Sequence, residues 1–518
     1  MTDDKPYILV GTKPETIRTL VCEINGNTLP ETYVTDGALV HVERVSGSAQ
    51  ATSTDADSAL PVAAATLTAP RLAGLLAEHT YTYRNRLVKE KWEEEEYTPP
   101  ADVLSAVLSR REWRGVRALR GIVGAPVLRE DGTLLQAPGY DQKTGLYLAA
   151  KVAMPPVPDK PTAEQVAESR GFIMDRFLRD FPWVADADRA NALALMFTPV
   201  LRRFARGLTP FGLFTATMPG SGKTILTAAT GLVYGQSVLP WTDSEEELRK
   251  VITSVFAKQV GAVVFDNIVE GTVIRSAILA QLLTAPTWTD RRLGSSATLE
   301  YANDRAWMAT GNNLSVGGDM PSRTVLVRLD PKTPKPEERT GFAIPDLSLW
   351  ILDPGNQRML LWHLLVLVMD WCAAGAPKAT GHVMRQFTPW AQTVGGLLAH
   401  HGVTGFLDNA EDVHGEDVDD AEWTAFLTKW ATMPDLDGWV TTAALRESAM
   451  RDLPVDGHRP PDPWDGAFIL NEQGRLPDVR NLAARLRGQV GRWHGDYVLR
   501  KAKDSHDKGA RWHVERKP

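Results

Sequence analysis

The consecutive residues Pro219-Gly220-Ser221-Gly222-Lys223-Thr224 combine the groups that binding a phosphate ester requires. Glycines let backbone N–H groups approach an anion, and a helix N-terminus adds partial positive charge. A lysine ammonium reaches the β/γ-phosphates, and a threonine hydroxyl ligates Mg²⁺. The spacing predicts a nucleotide-binding P-loop, with Gly220, Ser221, Gly222, Lys223 and Thr224 holding nucleotide and Thr224 holding the metal. The full pattern G-x-x-x-x-G-K-[ST] asks for glycine at position 217, where this chain has Thr217. A second motif follows: Val260, Ala262, Val263, Val264 and Phe265 lead into Asp266, whose carboxylate is expected to hold Mg²⁺ through water.

Such residues need a strand before the loop, a helix after it and a buried strand beneath the carboxylate. Phe211–Ala216 supplies the first, Ile225–Tyr234 the second and Val260–Asp266 the third. Ser244 caps a helix with an acidic first turn, which the helix dipole alone explains. Trp288–Ser296 and Ala297–Tyr301 read as a hairpin carrying Arg291 and Arg292. Trp307–Asn313 is a strand ending in amides, and Val325–Leu329 is a further strand. The class is α/β, with helices over Gln357–Ala373 and Thr388–His400.

The chain has 518 residues, too many for one compact core. The longest apolar stretch, Met359 to Ala374, contains His363 and Asp370 and reads as a buried helix. With no signal peptide at MTDDKPYILVG, the expectation is a soluble, cytoplasmic protein without a membrane segment. Cys22 and Cys372 stand too far apart in the chain to suggest a zinc ribbon or disulfide framework. The histidines show no metal spacing, and His400-His401 reads as surface or cap. Residues 471–518 carry twelve Lys/Arg against six Asp/Glu, a surplus of +6 in a chain whose total is −7. An anionic partner is therefore expected at the C-terminal end.

Three regions emerge. Residues 1–153 alternate short strands, helices and turns, and form a small α+β N-terminal domain. Met154–Pro161, MPPVPDKP, reads as a linker, and 162–405 hold the nucleotide motifs. The acidic stretch Asp408–Glu422 reads as a solvated linker. In 422–518, helices precede two strands, Tyr497–Arg500 and Trp512–Val514, which is the pattern of a winged helix. Arg485, Arg487, Arg492, Lys501 and Lys503 on its basic helix and wing fit phosphate contacts.

With the motifs GYDQKTGLY, PGSGKT, VVFDN, DRRLG, TGNN, GDMPSR and LAARLRGQVGRW in order, the chain resembles the AAA+ helicase module of phage and mobile-element replication proteins. The likeness is to the superfamily 3 and primase-helicase group, over roughly residues 100–518. The resemblance implies a P-loop AAA+ core in which Lys223 and Thr224 are Walker A and Asp266 is Walker B. Asn312 would be the sensor amide orienting water, and Arg323 an arginine finger for a neighbouring subunit. It places Arg291 and Arg292 on or near a hairpin that tracks DNA. It further implies a homo-oligomer, a hexamer, with single-stranded DNA in its channel and duplex at the winged helix. Asn267 follows Asp266 where many such motors have a water-polarising glutamate, and Glu270 is a substitute. The N-terminal region shows no zinc cluster or acidic pair of a primase. Two alternatives stay open: an ATP-switched initiator or loader that melts DNA without processive unwinding, and a nucleotide-dependent defence or interaction ATPase.

Overall fold

The computed structural model describes residues 5–44, 62–149, 154–256, 258, 260–291, 298–415, 418–451, 463–471, 474–502 and 510–517. Its centre is a five-stranded sheet made of β1 (Phe211–Ala216), β2 (Gln236–Leu239), β3 (Ala262–Ile268), β4 (Ala306–Asn312) and β5 (Thr324–Leu329). The spatial order is β2-β3-β4-β1-β5, and every neighbouring pair is parallel. Parallel strands covered on both faces read as continuous apolar runs. Accordingly, all six residues of β1 are buried.

Alternation divides those runs between two cores. Phe214, Val264, Met308, Val325 and Val327 face α1 (Asp186–Leu201), α2 (Lys223–Tyr234), α4 (Pro354–Ala373) and α5 (Thr388–His400). Leu213, Val263, Phe265, Trp307, Ala309 and Leu326 face α3 (Glu245–Phe256), the helix Ala277–Thr284 and an antiparallel hairpin. The hairpin pairs Thr287–Arg291 with Thr298–Ala302, just before β4.

The N-terminal region contains three helices, Lys13–Asn25, Ala69–His79 and Ala101–Leu108, packed around Ile8, Leu20, Leu72, Leu76 and Val103. Strands Thr32–Thr35, Ala38–Arg44 and Val62–Thr66 form one of its small sheets. Ser46–Ser58, whose small polar residues suit a linker or a long hairpin loop, lies outside the described residues. The proline-rich stretch is not a free tether. Val157 is 2% exposed, and its backbone exchanges hydrogen bonds of 2.8 and 3.0 Å with the Gln136 amide.

The acidic stretch also departs from expectation. Part of it forms the helix Ala410–Gly415, with Asp412 bound to Arg328 at 2.7 Å. Asn409 bonds to the buried Asp188 at 2.8 Å. These partners sit on β5 and α1, so the segment is stapled to the sheet.

The C-terminal region runs helix (Val418–Ala431), strand (Val440–Thr441), helix (Thr442–Arg451), helix (Val479–Gln489), then strands Trp493–His494, Tyr497–Lys501 and Arg511–Arg516. These make a four-stranded antiparallel sheet rather than the two strands expected, because two short edges add to it. Trp423, Phe426, Trp430, Trp464 and Trp512 fill its core. No helix among the described residues is long and apolar enough to cross a membrane.

Candidate functional site

The carboxyl ends of β1, β4 and β3 lie side by side, with Ala216 opposite Asn312 and Ile268 opposite Gly311. Residues leaving these ends share one crevice, where parallel α/β sheets present their binding groups. The loop after β1 turns into α2 through Gly220 and Gly222, at φ +74 and +96. A side chain at 222 would be strained in this left-handed geometry, and its Cβ would lie 2.9 Å from the Phe181 ring. Gly222 is the N-cap of α2, so the helix's first N–H groups open onto the loop.

Lys223 is 8% exposed, and its ammonium is satisfied by three oxygens. It donates to Asn312 Oδ1 at 2.6 Å, Ser221 Oγ at 3.1 Å and the Met218 carbonyl at 3.4 Å. Burial pulls this ammonium below the ordinary lysine value, and the nearby Asp266 charge opposes the shift. The Thr224 hydroxyl points at Asp266 Oδ1, 3.5 Å away. One hydroxyl and one carboxylate oxygen at this separation form a hard-oxygen pair suited to Mg²⁺, with water completing the shell.

Asp266 is itself anchored. Thr310 Oγ donates to Asp266 Oδ1 at 2.5 Å and accepts from the Asn267 backbone N–H at 3.1 Å. The β3–β4 register shifts between Phe265 and Ile268, and Asn267 takes φ +55 there. The bulge turns Asn267 outward while Asp266 stays at the crevice. Glu270 accepts from the Asn313 side chain at 2.7 Å, next to Asn312. Thr217, at the non-glycine position, donates to Asp330 Oδ1 at 3.2 Å, so its side chain is used to brace the loop against the end of β5.

Lys223, Thr224, Asp266 and Asn312 therefore meet, but Arg323 does not join them. It precedes β5, at the end where Thr324 lies opposite Phe211. Five residue steps separate that end from Ala216, which is roughly 17 Å along the strands. Its guanidinium binds the Asp319 backbone carbonyl and lies 3.5 Å from the Asp319 carboxylate, while its buried Nε has no partner.

Arg291 ends the first strand of the hairpin, and Arg292 lies outside the described residues. Arg487 and Arg492 are exposed, and Lys501 is half-buried on its strand. Lys503 lies outside the described residues. Arg485 is engaged internally: it donates to Glu422 at 2.9 Å and to the Leu470 carbonyl at 2.6 Å, and its guanidinium packs over Trp423.

Sequence reading missed Thr310 and Asp330. Thr310 stands two residues before Asn312, so both side chains leave the same face of β4. That alternation was the available signal. It also missed a cluster on the back of the core, where Asp370, His400 and His401 bring ligand atoms within 4.8 Å of one another. His400 binds Asp370 at 2.9 Å, and the buried His401 binds the Leu367 carbonyl at 2.9 Å. These contacts fasten the end of α5 to α4.

No protein-family model matches the chain, and no curated protein matches it. It is similar to several solved structures. A JCV helicase bound to an inhibitor shares 16% identity, over 49% of this chain and 73% of that one, with a TM-score of 0.23. The C-terminal region of NrS-1 shares 13% identity over 82% of this chain and 94% of that one, at 0.34. The SCCmec type IV helicase Cch shares 10%, covering 91% and 88%, at 0.34. Overlaps this low carry no argument, and the functional reading rests on the residues of this chain.

Proposed function

We propose that this chain is a Mg²⁺-dependent P-loop ATPase of the AAA+ class that acts as a DNA helicase, hydrolysing ATP between subunits of a homo-oligomeric ring. The observation that carries the reading is the meeting of Lys223 with Asn312, and of Thr224 with Asp266, across three adjacent strand ends. Lys223 is satisfied by loop oxygens that phosphate oxygens would replace, and Asn312 lies beside the place the terminal phosphate would take. The insertion of β4 between β1 and β3 also supports an AAA+ core, since it inserts an amide between loop and carboxylate.

Thr224 and Asp266 would hold Mg²⁺, which supplies charge neutralisation at the β/γ-phosphates when bound. The N–H groups at the start of α2 would bind phosphate oxygens, and Asn312 would orient the attacking water. Glu270, held by Asn313, is the carboxylate placed to accept that water's proton. Arg323 sits too far from its own loop to serve it, which supports its use toward a neighbouring copy. Its exposed pairing with Asp319 is weak enough to be exchanged for a phosphate.

The helix–strand–helix–helix order of 418–489, followed by three strands, supports a winged helix for duplex DNA, with Arg487 and Arg492 as exposed phosphate contacts. An ATP-switched initiator or loader remains the rival reading. The observation favouring it is Asn267, turned outward where a water-polarising carboxylate would stand.

The deciding experiment measures ATP hydrolysis and strand displacement with and without forked DNA, alongside the mass of the assembled species. A helicase gives DNA-stimulated hydrolysis, processive displacement and a multimer. Slow hydrolysis with no displacement selects the initiator. Hydrolysis indifferent to DNA, with no salt-sensitive DNA binding, overturns the DNA reading.

A further inference from the structure

A cavity of about 480 Å³ opens at the amino end of the central sheet, opposite the P-loop. One wall comes from the N-terminal region, strands Val62–Thr66 and Gly121–Val123. The other is built from the end of α1, the end of α2 and the residues just before β3 and β4. Cavities of 300–1,000 Å³ are the usual size for small-molecule and cofactor sites.

Its charge is one-sided. Arg120, Arg202, Arg203, Lys258 and Arg305 line it against one carboxylate, Asp304, among the described lining residues. Asp304 lies 3.2 Å from Arg305 and 3.5 Å from Arg203, so it is already shared. Arg202 and Arg305 are 9% and 7% exposed. Their terminal nitrogens are spent within the chain: Arg202 donates to the Gly207 and Asn303 carbonyls, and Arg305 to the Ala302, Phe256 and Lys258 carbonyls and to Asp304 Oδ1. Each keeps a buried Nε–H with no partner, and the Tyr234 hydroxyl, 3% exposed, has none either. Burial pulls the Arg202 guanidinium down to about 10, and the Asp304 charge opposes that shift only in part.

Three buried donors without a partner in the chain, beside a surplus of cations, favour an occupant with several acceptor oxygens. The donors come from three separate elements. A phosphate ester offers acceptors in several directions, whereas a carboxylate offers two in one plane. Tyr301, half-buried and stacked on Phe256 with ring centroids 5.7 Å apart, adds an aromatic side to the same cavity, suited to a base or sugar.

We propose that this cleft binds the phosphate of a nucleotide unit, free or within a single strand, at a site separate from the P-loop.

The test uses the full chain carrying Lys223→Ala, to weaken the P-loop, and reads the rise in Tm caused by pyrophosphate, dAMP or a short single-stranded oligothymidylate. A bound ligand is expected to raise Tm by a few degrees. Adding Tyr234→Phe, or separately Arg203→Gln, should abolish that rise while leaving the ligand-free Tm unchanged or higher for Tyr234→Phe. Arg203 is partly exposed, so its variant keeps the test usable should the buried change unfold the protein. A rise with pyrophosphate or dAMP, lost in the variants, assigns a free nucleotide. A rise with the oligothymidylate only, lost in the variants, assigns a strand. Equal rises with and without the cavity substitutions, or no rise with any probe, overturn the proposal.

Discussion

The two ends of the central sheet treat their cations in opposite ways. At the carboxyl end, Lys223 is buried but fully engaged with Asn312, Ser221 and Met218, and Asp266 is held by Thr310 and faced by Thr224. At the amino end, Arg202, Arg305 and Arg323 each keep a buried Nε–H without a partner. The first end is satisfied within one chain, and in the proposed reading a ligand's oxygens would replace its internal bonds. The second keeps buried donors that no acceptor of this chain answers. In the proposed reading, a single sheet therefore carries a phosphate site whose free-state bonds close within one chain at one end, and donors for outside phosphates at the other.

The hardest break of this contrast is Lys223→Ala. Loss of the ammonium removes a buried cation from the carboxyl end, and steady-state phosphate release should fall to background with or without DNA. Hydrolysis surviving at wild-type rate would mean that the crevice is not where ATP reacts. Next in size is Arg323→Ala at the amino end. An arginine finger contributed in trans accounts for about 10³–10⁵ in rate. Turnover should drop by that order under assembling conditions and be unchanged in dilute, unassembled protein. Equal loss in both states would place Arg323 in its own subunit's fold rather than in a neighbour's site.

The contrast also explains what could be read from sequence. At the carboxyl end the candidate groups are compressed: Pro219–Thr224 are contiguous, and Asp266 and Asn312 each close a run of apolar residues, so strand ends mark them. The amino end gives no such signal, because Arg202, Tyr234 and Arg305 come from three elements scattered along more than a hundred positions. Only the fold gathers them. Composition misled at Arg485 for a related reason. A basic helix says nothing about which arginines are already paired, and Glu422 and Trp423 lie sixty residues upstream of it. Prolines at 155 and 156 marked an irregular segment correctly, but the burial of Val157 depends on a pocket that no local pattern reveals.

A third site calibrates the two ends, since its cations are exposed rather than buried. Arg487→Glu with Arg492→Glu should weaken duplex binding about tenfold or more at moderate salt and flatten the salt dependence of binding by about two charges. Basal ATP hydrolysis should be spared. Truncating 471–518 is a poorer test, because it removes Leu482, Leu486 and Trp512 from the module's core. Unchanged salt dependence in the double variant would make this basic surface a solvated face.

The smallest expected effect is the most discriminating, because its sign differs between the two ends. Thr310 and Tyr234 each bury a hydroxyl near the central sheet, but only that of Thr310 is bonded, donating to Asp266 and accepting from Asn267. Thr310→Val leaves a carboxylate oxygen and an N–H without that partner, and should cost about 1–3 kcal/mol. Tyr234→Phe removes a hydroxyl that has no protein partner to lose, so without ligand it should be neutral or stabilising by up to about 1 kcal/mol. Denaturant midpoints of the two variants, measured in phosphate-free buffer, compare them directly. Destabilisation by Tyr234→Phe comparable with that of Thr310→Val would show that the amino-end hydroxyl is satisfied within the free protein, and the asymmetry between the ends would fail at that point.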